Sequence, residues 1–136
     1  MLRKIEHIGI AVKDLSASNK LFQDILGVAP YKEELVQSEN VLTSFFQVGE
    51  SKIELLQATS PDSAIAKFLE KNKEGMHHIA FDVEDIFSEI ERLKGLGYVM
   101  IHDDPKAGAD DKIIAFMHPK SSNGVLIELC QDRFKK

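Results

Sequence analysis

The chain has 136 residues, a formal net charge of −5, and 43% hydrophobic and 29% charged residues. That is enough for one buried core in a single globular domain. The acidic balance excludes a sequence-independent nucleic-acid binder, which needs a surplus of Lys and Arg, and no apolar run approaches the roughly 20 residues that span a bilayer.

The opening, MLRKIEHIGIAV, passes directly into a patterned strand and shows no separate apolar leader with a cleavage site. A single cysteine, Cys130, allows no internal disulfide, so a reducing cytoplasm is the expected compartment. IEHIGIAV alternates and is β-branched, which predicts a strand. DLSASNKLFQDILG follows with Leu15, Phe22, Ile25 and Leu26 at helical spacing, Asp14 or Ser16 as cap and Gly27 as stop. Three strands are expected near residues 31–36, 41–48 and 52–58. SPDSAIAKFLEKNKEG then reads as a connecting helix, with Ser60 as N-cap, Pro61 as first residue and Gly75 beyond its end.

The second half opens on MHHIAFDV, another strand, and EDIFSEIERLKGLG, a helix with Ile86, Ile90 and Leu93 on one face. Strands near 98–102, 112–118 and 125–131 complete it, with Asn123–Gly124 as a hairpin signal. Each half is therefore β-α-β-β-β. One domain over residues 1–136 is expected, with module one at about 1–58, a connecting helix at about 60–74 and module two at about 76–132.

The halves also match residue by residue. EHIGIAVKDL (6–15) lies over HHIAFDVEDI (77–86), with His7 on His78, and SKIELLQ (51–57) over VLIELCQ (125–131), with Glu54 on Glu128. Side chains on a strand alternate faces. In the first strand Ile8, Ile10 and Val12 suit a helix-covered face, while His7, Gly9 and Ala11 share the other. In the fifth strand Ile79, Phe81 and Val83 oppose His78, Ala80 and Asp82. Small residues beside each histidine leave room for a cavity. Glu54 and Glu128 each sit between large apolar residues, where an ionised carboxylate is costly unless paired or bound to a cation. A pseudo-twofold relation between the halves would gather His7, Glu54, His78 and Glu128. Two imidazoles and two carboxylates suit one divalent metal ion and leave positions for water or substrate. Cobalt, zinc, manganese, nickel and iron all remain open. His77 faces away from His78, and is expected to pack at an edge or to hydrogen-bond behind the ligands. His102 reads as a solvent-facing residue near a turn, and Cys130 as a small buried thiol.

These residues resemble the vicinal oxygen chelate superfamily (glyoxalase, bleomycin resistance and dioxygenase proteins), and within it the methylmalonyl-CoA epimerase family. The resemblance spans HIGIAVKDL, ELLQATSPDSAIAKFLEKNKEGMHHIAFDV, DDPKAGADDKIIAFMHPKS and GVLIEL. It implies an α+β fold whose paired β-α-β-β-β modules form an open, cupped, eight-stranded sheet. It implies metal ligation by His7, Glu54, His78 and Glu128, an acyl-CoA substrate and a homodimer, with neither nucleic acid nor membrane as partner. The implied reaction removes the acidic C2 proton of methylmalonyl-CoA and returns one to the opposite face. Two proton carriers on opposite faces are the simplest design. Glu128 is one. Some epimerases of this kind carry the other as a glutamate in the third strand, where this chain has Thr43, so Glu54 is the first substitute, with Glu39 or a bound water as further options. Lys106, Lys112 and Lys120 are the candidate contacts to the CoA phosphates. The alternatives are a lactoylglutathione lyase, a metal-dependent dioxygenase of the superfamily and a non-catalytic small-molecule-binding protein.

Overall fold

The computed structural model describes residues 1–133, in two compact units: residues 7–77, and residues 1–6 with 78 onward. The first strand, β1 (Leu2–Ala11), is continuous across both.

In the unit of residues 7–77, helix α1 (Leu15–Leu26) follows β1. The strands β2 (Lys32–Val36), β3 (Val41–Val48) and β4 (Ser51–Ala58) come next, and helix α2 (Ala64–Lys71) closes it. The strand order is β2-β3-β4-β1. β3 pairs antiparallel with β2 and β4, while β4 runs parallel to β1. One face of this sheet is apolar because α1 covers it: Val12, Leu15, Phe46 and Leu55 are buried there with Ile10, Phe22, Leu26 and Ile53 against them. Ile25, expected on that face, is exposed together with Leu21. The stripe that turns inward is Leu15, Phe22 and Leu26.

The other unit adds β5 (Gly75–Val83), helix α3 (Ile86–Gly95), β6 (Lys106–Ala107), β7 (Lys112–Met117) and β8 (Ile127–Asp132). Its order is β5-β8-β7-β6, with β5 and β8 parallel and the other neighbours antiparallel. Val83, Ile86, Ile90, Met100, Ala115, Met117 and Leu129 form its core under α3. Arg3 of β1 reaches Asp82 of β5 at 2.8 Å.

Both long helices start in the same way. Asp14 caps α1 by accepting from the Ala17 amide, and Asp85 caps α3 by accepting from Phe87 and Ser88. In each case a glutamine from the unit's parallel partner strand accepts the first helical N–H. Gln57 Oε1 takes that of Leu15 at 2.6 Å, and Gln131 Oε1 that of Ile86 at 2.7 Å. The repeated E-L-x-Q thus has two outputs, because three residues along a strand reverse the face. Gln serves the helix side and Glu the other. Gly27 ends α1 at φ +74°, a conformation that glycine adopts without penalty.

Two expected elements move, while the turn signal holds. The connecting helix begins at Ala64, capped by Ser63, whose hydroxyl accepts from Ala66; Ser60 instead closes a turn with Asp62, which Pro61 opens. The strand expected at 98–102 reduces to an isolated bridge between Met100 and Met117, and the short β6 takes the edge position after Pro105, whose missing N–H cannot extend a ladder. Asn123 and Gly124 are both left-handed (φ +57° and +81°) inside a turn closed by Val125 N to Ser122 O at 3.0 Å. That is the primed geometry the pair signals, although a single-turn 3-10 helix over Pro119–Ser121 lengthens the connection.

Candidate functional site

The uncovered face of each sheet carries the histidines and glutamates. In the unit of residues 7–77, Gly9 on β1 and Phe45 on β3 both lie directly opposite Glu54 on β4. Opposed residues share a face, so His7, Gly9, Thr43, Phe45 and Glu54 belong together. In the other unit Ala80 on β5 and Phe116 on β7 lie directly opposite Glu128 on β8, which collects His78, Ala80, Ile114, Phe116 and Glu128. The two constellations correspond position for position: histidine, a small residue, phenylalanine, glutamate. The small residue is what lets a carboxylate and an imidazole occupy the same patch of sheet.

His7 Nδ1 is 3.0 Å from Glu54 Oε2, and His78 Nε2 is 3.2 Å from Glu128 Oε1. All four side chains are buried. Two ligands of one ion, bound at 2.0–2.2 Å with angles between square and tetrahedral, are about 3.0–3.4 Å apart. Each His–Glu pair is therefore spaced as ligands of one divalent ion would be, and buried nitrogen–carboxylate donor sets of this kind suit cobalt, zinc, manganese, nickel or iron. Phe116 packs edge-on against His78, with ring centroids 5.6 Å apart, and narrows the approach to it.

The three lysines separate. Lys106 lies opposite Ile114 and Lys112 opposite Asp132, so both belong to the Glu128 face of their sheet. Lys112 is ion-paired with Asp132. Lys120 is exposed in the turn after β7.

His77 packs its ring against Phe68 of α2, with centroids 5.0 Å apart in T-shaped geometry, which is the edge-packing role expected. His102 departs from expectation. It is only partly exposed, its Nδ1 accepts the Phe116 amide at 3.3 Å, and its ring meets the Phe116 ring at 5.9 Å. No periodicity in HDDPKAG could show this, because the contact is made across the irregular segment that replaces the expected strand. Cys130 is fully buried, with Sγ 3.5 Å from the Phe81 carbonyl. Burial, helped by the nearby carboxylates of Glu128 and Glu6, pushes its thiol well above the ordinary value. Glu6 is itself buried, at 2% exposure. By strand alternation it shares the face of Ile8 and Ile10 rather than that of His7.

The chain belongs to the Glyoxalase/Bleomycin resistance protein/Dioxygenase superfamily, whose family model matches residues 6–116. Within that class it is similar to proteins named as epimerases of acyl-CoA thioesters. The ethylmalonyl-CoA/methylmalonyl-CoA epimerase of Cereibacter sphaeroides is 40% identical over 133 residues, covering 96% of this chain and 99% of its own. The mitochondrial methylmalonyl-CoA epimerase of Homo sapiens is 37% identical over 131 residues, covering 96% and 74%. A solved structure of methylmalonyl-CoA epimerase in complex with methylmalonyl-CoA and NH4+ superposes with a TM-score of 0.93 at 34% identity, covering 97% of this chain and 96% of that one.

Proposed function

We propose that the chain is a methylmalonyl-CoA epimerase, an isomerase that interconverts the (2R) and (2S) thioesters by taking the C2 proton from one face and returning one to the other. The observation that carries this reading is the duplicated, buried His–Glu pair. Each unit repeats the same donors on the same strand positions at 3.0 and 3.2 Å, as a site assembled from two gene-duplicated halves requires. His7, Glu54, His78 and Glu128 are the proposed ligands of one divalent ion. When bound, the ion supplies Lewis acidity toward the negative charge that develops on the thioester oxygen.

The chain's own residues do the rest. Glu128 and Glu54 are the proposed proton carriers. They come from equivalent positions of the two halves, and each acts as base for one epimer and as acid for the other. Burial keeps bulk water from competing for the carbanionic carbon. Phe45 and Phe116, each directly across from a carrier, wall the reacting group. Lys106, Lys112 and Lys120 are the proposed partners of the CoA phosphates; two of them share the Glu128 face. A homodimer is proposed as the working form, and the exposed Leu21 and Ile25 of α1 are the apolar surface such a contact would cover.

The test is incubation of metal-loaded protein with each methylmalonyl-CoA epimer in deuterated water. The expected result is metal-dependent deuterium at C2 together with appearance of the other epimer. Folded, metal-loaded protein that leaves C2 unlabelled would reject the proposal.

A further inference from the structure

Two of the proposed phosphate contacts, Lys106 and Lys112, lie toward one end of the Glu128 face, and another cation stands at the same end. Asp82 on β5 is directly opposite Cys130 on β8, Cys130 is opposite Ile114 on β7, and Ile114 is opposite Lys106 on β6. Opposed residues share a face, so Asp82 and Lys106 close the two ends of one row across the sheet. Arg3 of β1 grips Asp82: Nε donates to Oδ2 at 2.8 Å, and Nη2 lies 2.8 Å from the same oxygen.

The two partners are unequal. The Asp82 side chain is 6% exposed and that of Arg3 54%. A carboxylate buried to that degree is costly unless paired, and the fold does not need one here. Ala11, which the repeat sets over Asp82, is fully buried and apolar. A pair that only joined β1 to β5 would be served as well by two apolar side chains. What the buried carboxylate adds is a fixed guanidinium. Held through two nitrogens, Arg3 has given up side-chain freedom before any ligand arrives. Its Nη1 edge makes no hydrogen bond among the described residues, and it presents the planar donors that suit phosphate.

The spacing along β5 matches the length of an acyl-CoA. His78 and Asp82 are four residues apart on the same face of that strand, about 13 Å at the rise of a strand. Between the thioester sulfur and the pyrophosphate, CoA has a chain of about a dozen bonds, which spans about 14 Å at the reach of an extended chain. A thioester bound beside His78 and Glu128, with its arm laid along β5, brings the pyrophosphate level with Arg3 and Lys106. The apolar cluster of Ala80, Ile114 and Cys130 lies between.

We propose that Arg3, positioned by Asp82, binds the pyrophosphate of the acyl-CoA, an inference that rests on the acyl-CoA substrate of the epimerase reading. Arg3 is a binding residue and Asp82 a positioning residue; neither touches the reacting carbon. The sequence alone does not single out Arg3, because the carboxylate that fixes it is 79 residues away.

Removing Arg3 alone strands a buried carboxylate, which is strongly destabilising. The informative variants are therefore D82N, which frees the guanidinium, and R3Q/D82N, which removes both charges. Two quantities are to be measured on metal-loaded protein. One is the ratio of kcat/KM for methylmalonyl-CoA to that for methylmalonyl-pantetheine, which has no phosphates; the other is the Kd of CoA by calorimetry. The expected result for R3Q/D82N is an about tenfold fall in the ratio and a matching rise in Kd, the effect of one lost charge-assisted contact. D82N shows a smaller change in the same direction. An unchanged ratio in R3Q/D82N would overturn the assignment, including the case where both thioesters lose equally, which marks a packing role. If the parent binds CoA but leaves C2 unlabelled in deuterated water, the epimerase reading fails, and the Kd of R3Q/D82N alone decides for or against Arg3. If the parent labels C2 and R3Q/D82N keeps the ratio, only the Arg3 assignment fails.

Discussion

Glu128 is assigned two tasks, ligand and proton carrier, and the two separate experimentally. Glu128→Ala should lower C2 exchange by at least about 10²-fold, the usual contribution of a positioned acid–base group, and should also weaken metal retention on dialysis. A variant with full exchange would remove Glu128 from the chemistry. The lysines are proposed to act on binding alone: Lys106→Glu or Lys120→Glu should raise the KM for the acyl-CoA several-fold while metal content, measured by elemental analysis, stays constant. Far from the site, Glu89 tests the electrostatics of the fold. The hydrogen-bonded Arg92 is the largest downward influence on its carboxyl, and the amino terminus at Met1 adds to it, holding Glu89 below the ordinary value of 4.5 against the opposing effect of burial. A carboxylate with a depressed folded pKa stabilises the protein above its unfolded pKa, and that contribution disappears as pH falls through the folded value. The melting temperature of the parent should therefore drop more steeply than that of Glu89→Gln below about pH 4.5, and the two curves should converge in acid.

The elements show why much of this was legible in the chain and some was not. Helix α1 and the strands β1, β3, β4 and β5 could be read because local pattern and tertiary use agree: Ile8, Ile10 and Val12 alternate with His7, Gly9 and Ala11, and that alternation is the division between helix-covered and open faces. The E-L-x-Q repeat exposed the site glutamates but hid the second half of its meaning, since a glutamine capping a helix from a neighbouring strand is a long-range contact with no local signature. Gln57→Ala or Gln131→Ala leaves a helix N–H without its acceptor and should cost about 1 kcal/mol in chemical denaturation, with kcat unchanged. Where the structure departed from expectation, one local signal prevailed over another. Ser63 rather than Ser60 caps α2, and the 98–102 segment lost its ladder to a turn at Gly97 (φ +95°) and to Pro105. Gly108 marks another such place, because a Cβ there would lie 2.8 Å from Ile114 Cγ2. Gly108→Ala must displace Ile114, a side chain on the Glu128 face.

For the whole molecule, the account requires that two units built on the same plan act as one centre. The four proposed ligands, two from each half, predict one divalent ion per chain, activity lost on chelation and regained with the ion, and a melting temperature that rises with metal concentration. At one hundred times the dissociation constant, metal binding adds about 2.7 kcal/mol to stability. Truncating both members of one His–Glu pair should remove most of that gain, since the remaining pair offers only two ligands. The duplication was visible from the sequence as matched histidines and glutamates. Thr43 was visible only as a departure from a family pattern, and its orphaned hydroxyl required coordinates. The measurement that decides the central claim is proton exchange at C2 of methylmalonyl-CoA in deuterated water, followed by NMR or mass spectrometry with and without the metal. Label at C2 and interconversion of the epimers, both abolished by chelation and by Glu128→Ala, are the predicted result. An unlabelled C2 with folded, metal-loaded protein would contradict it.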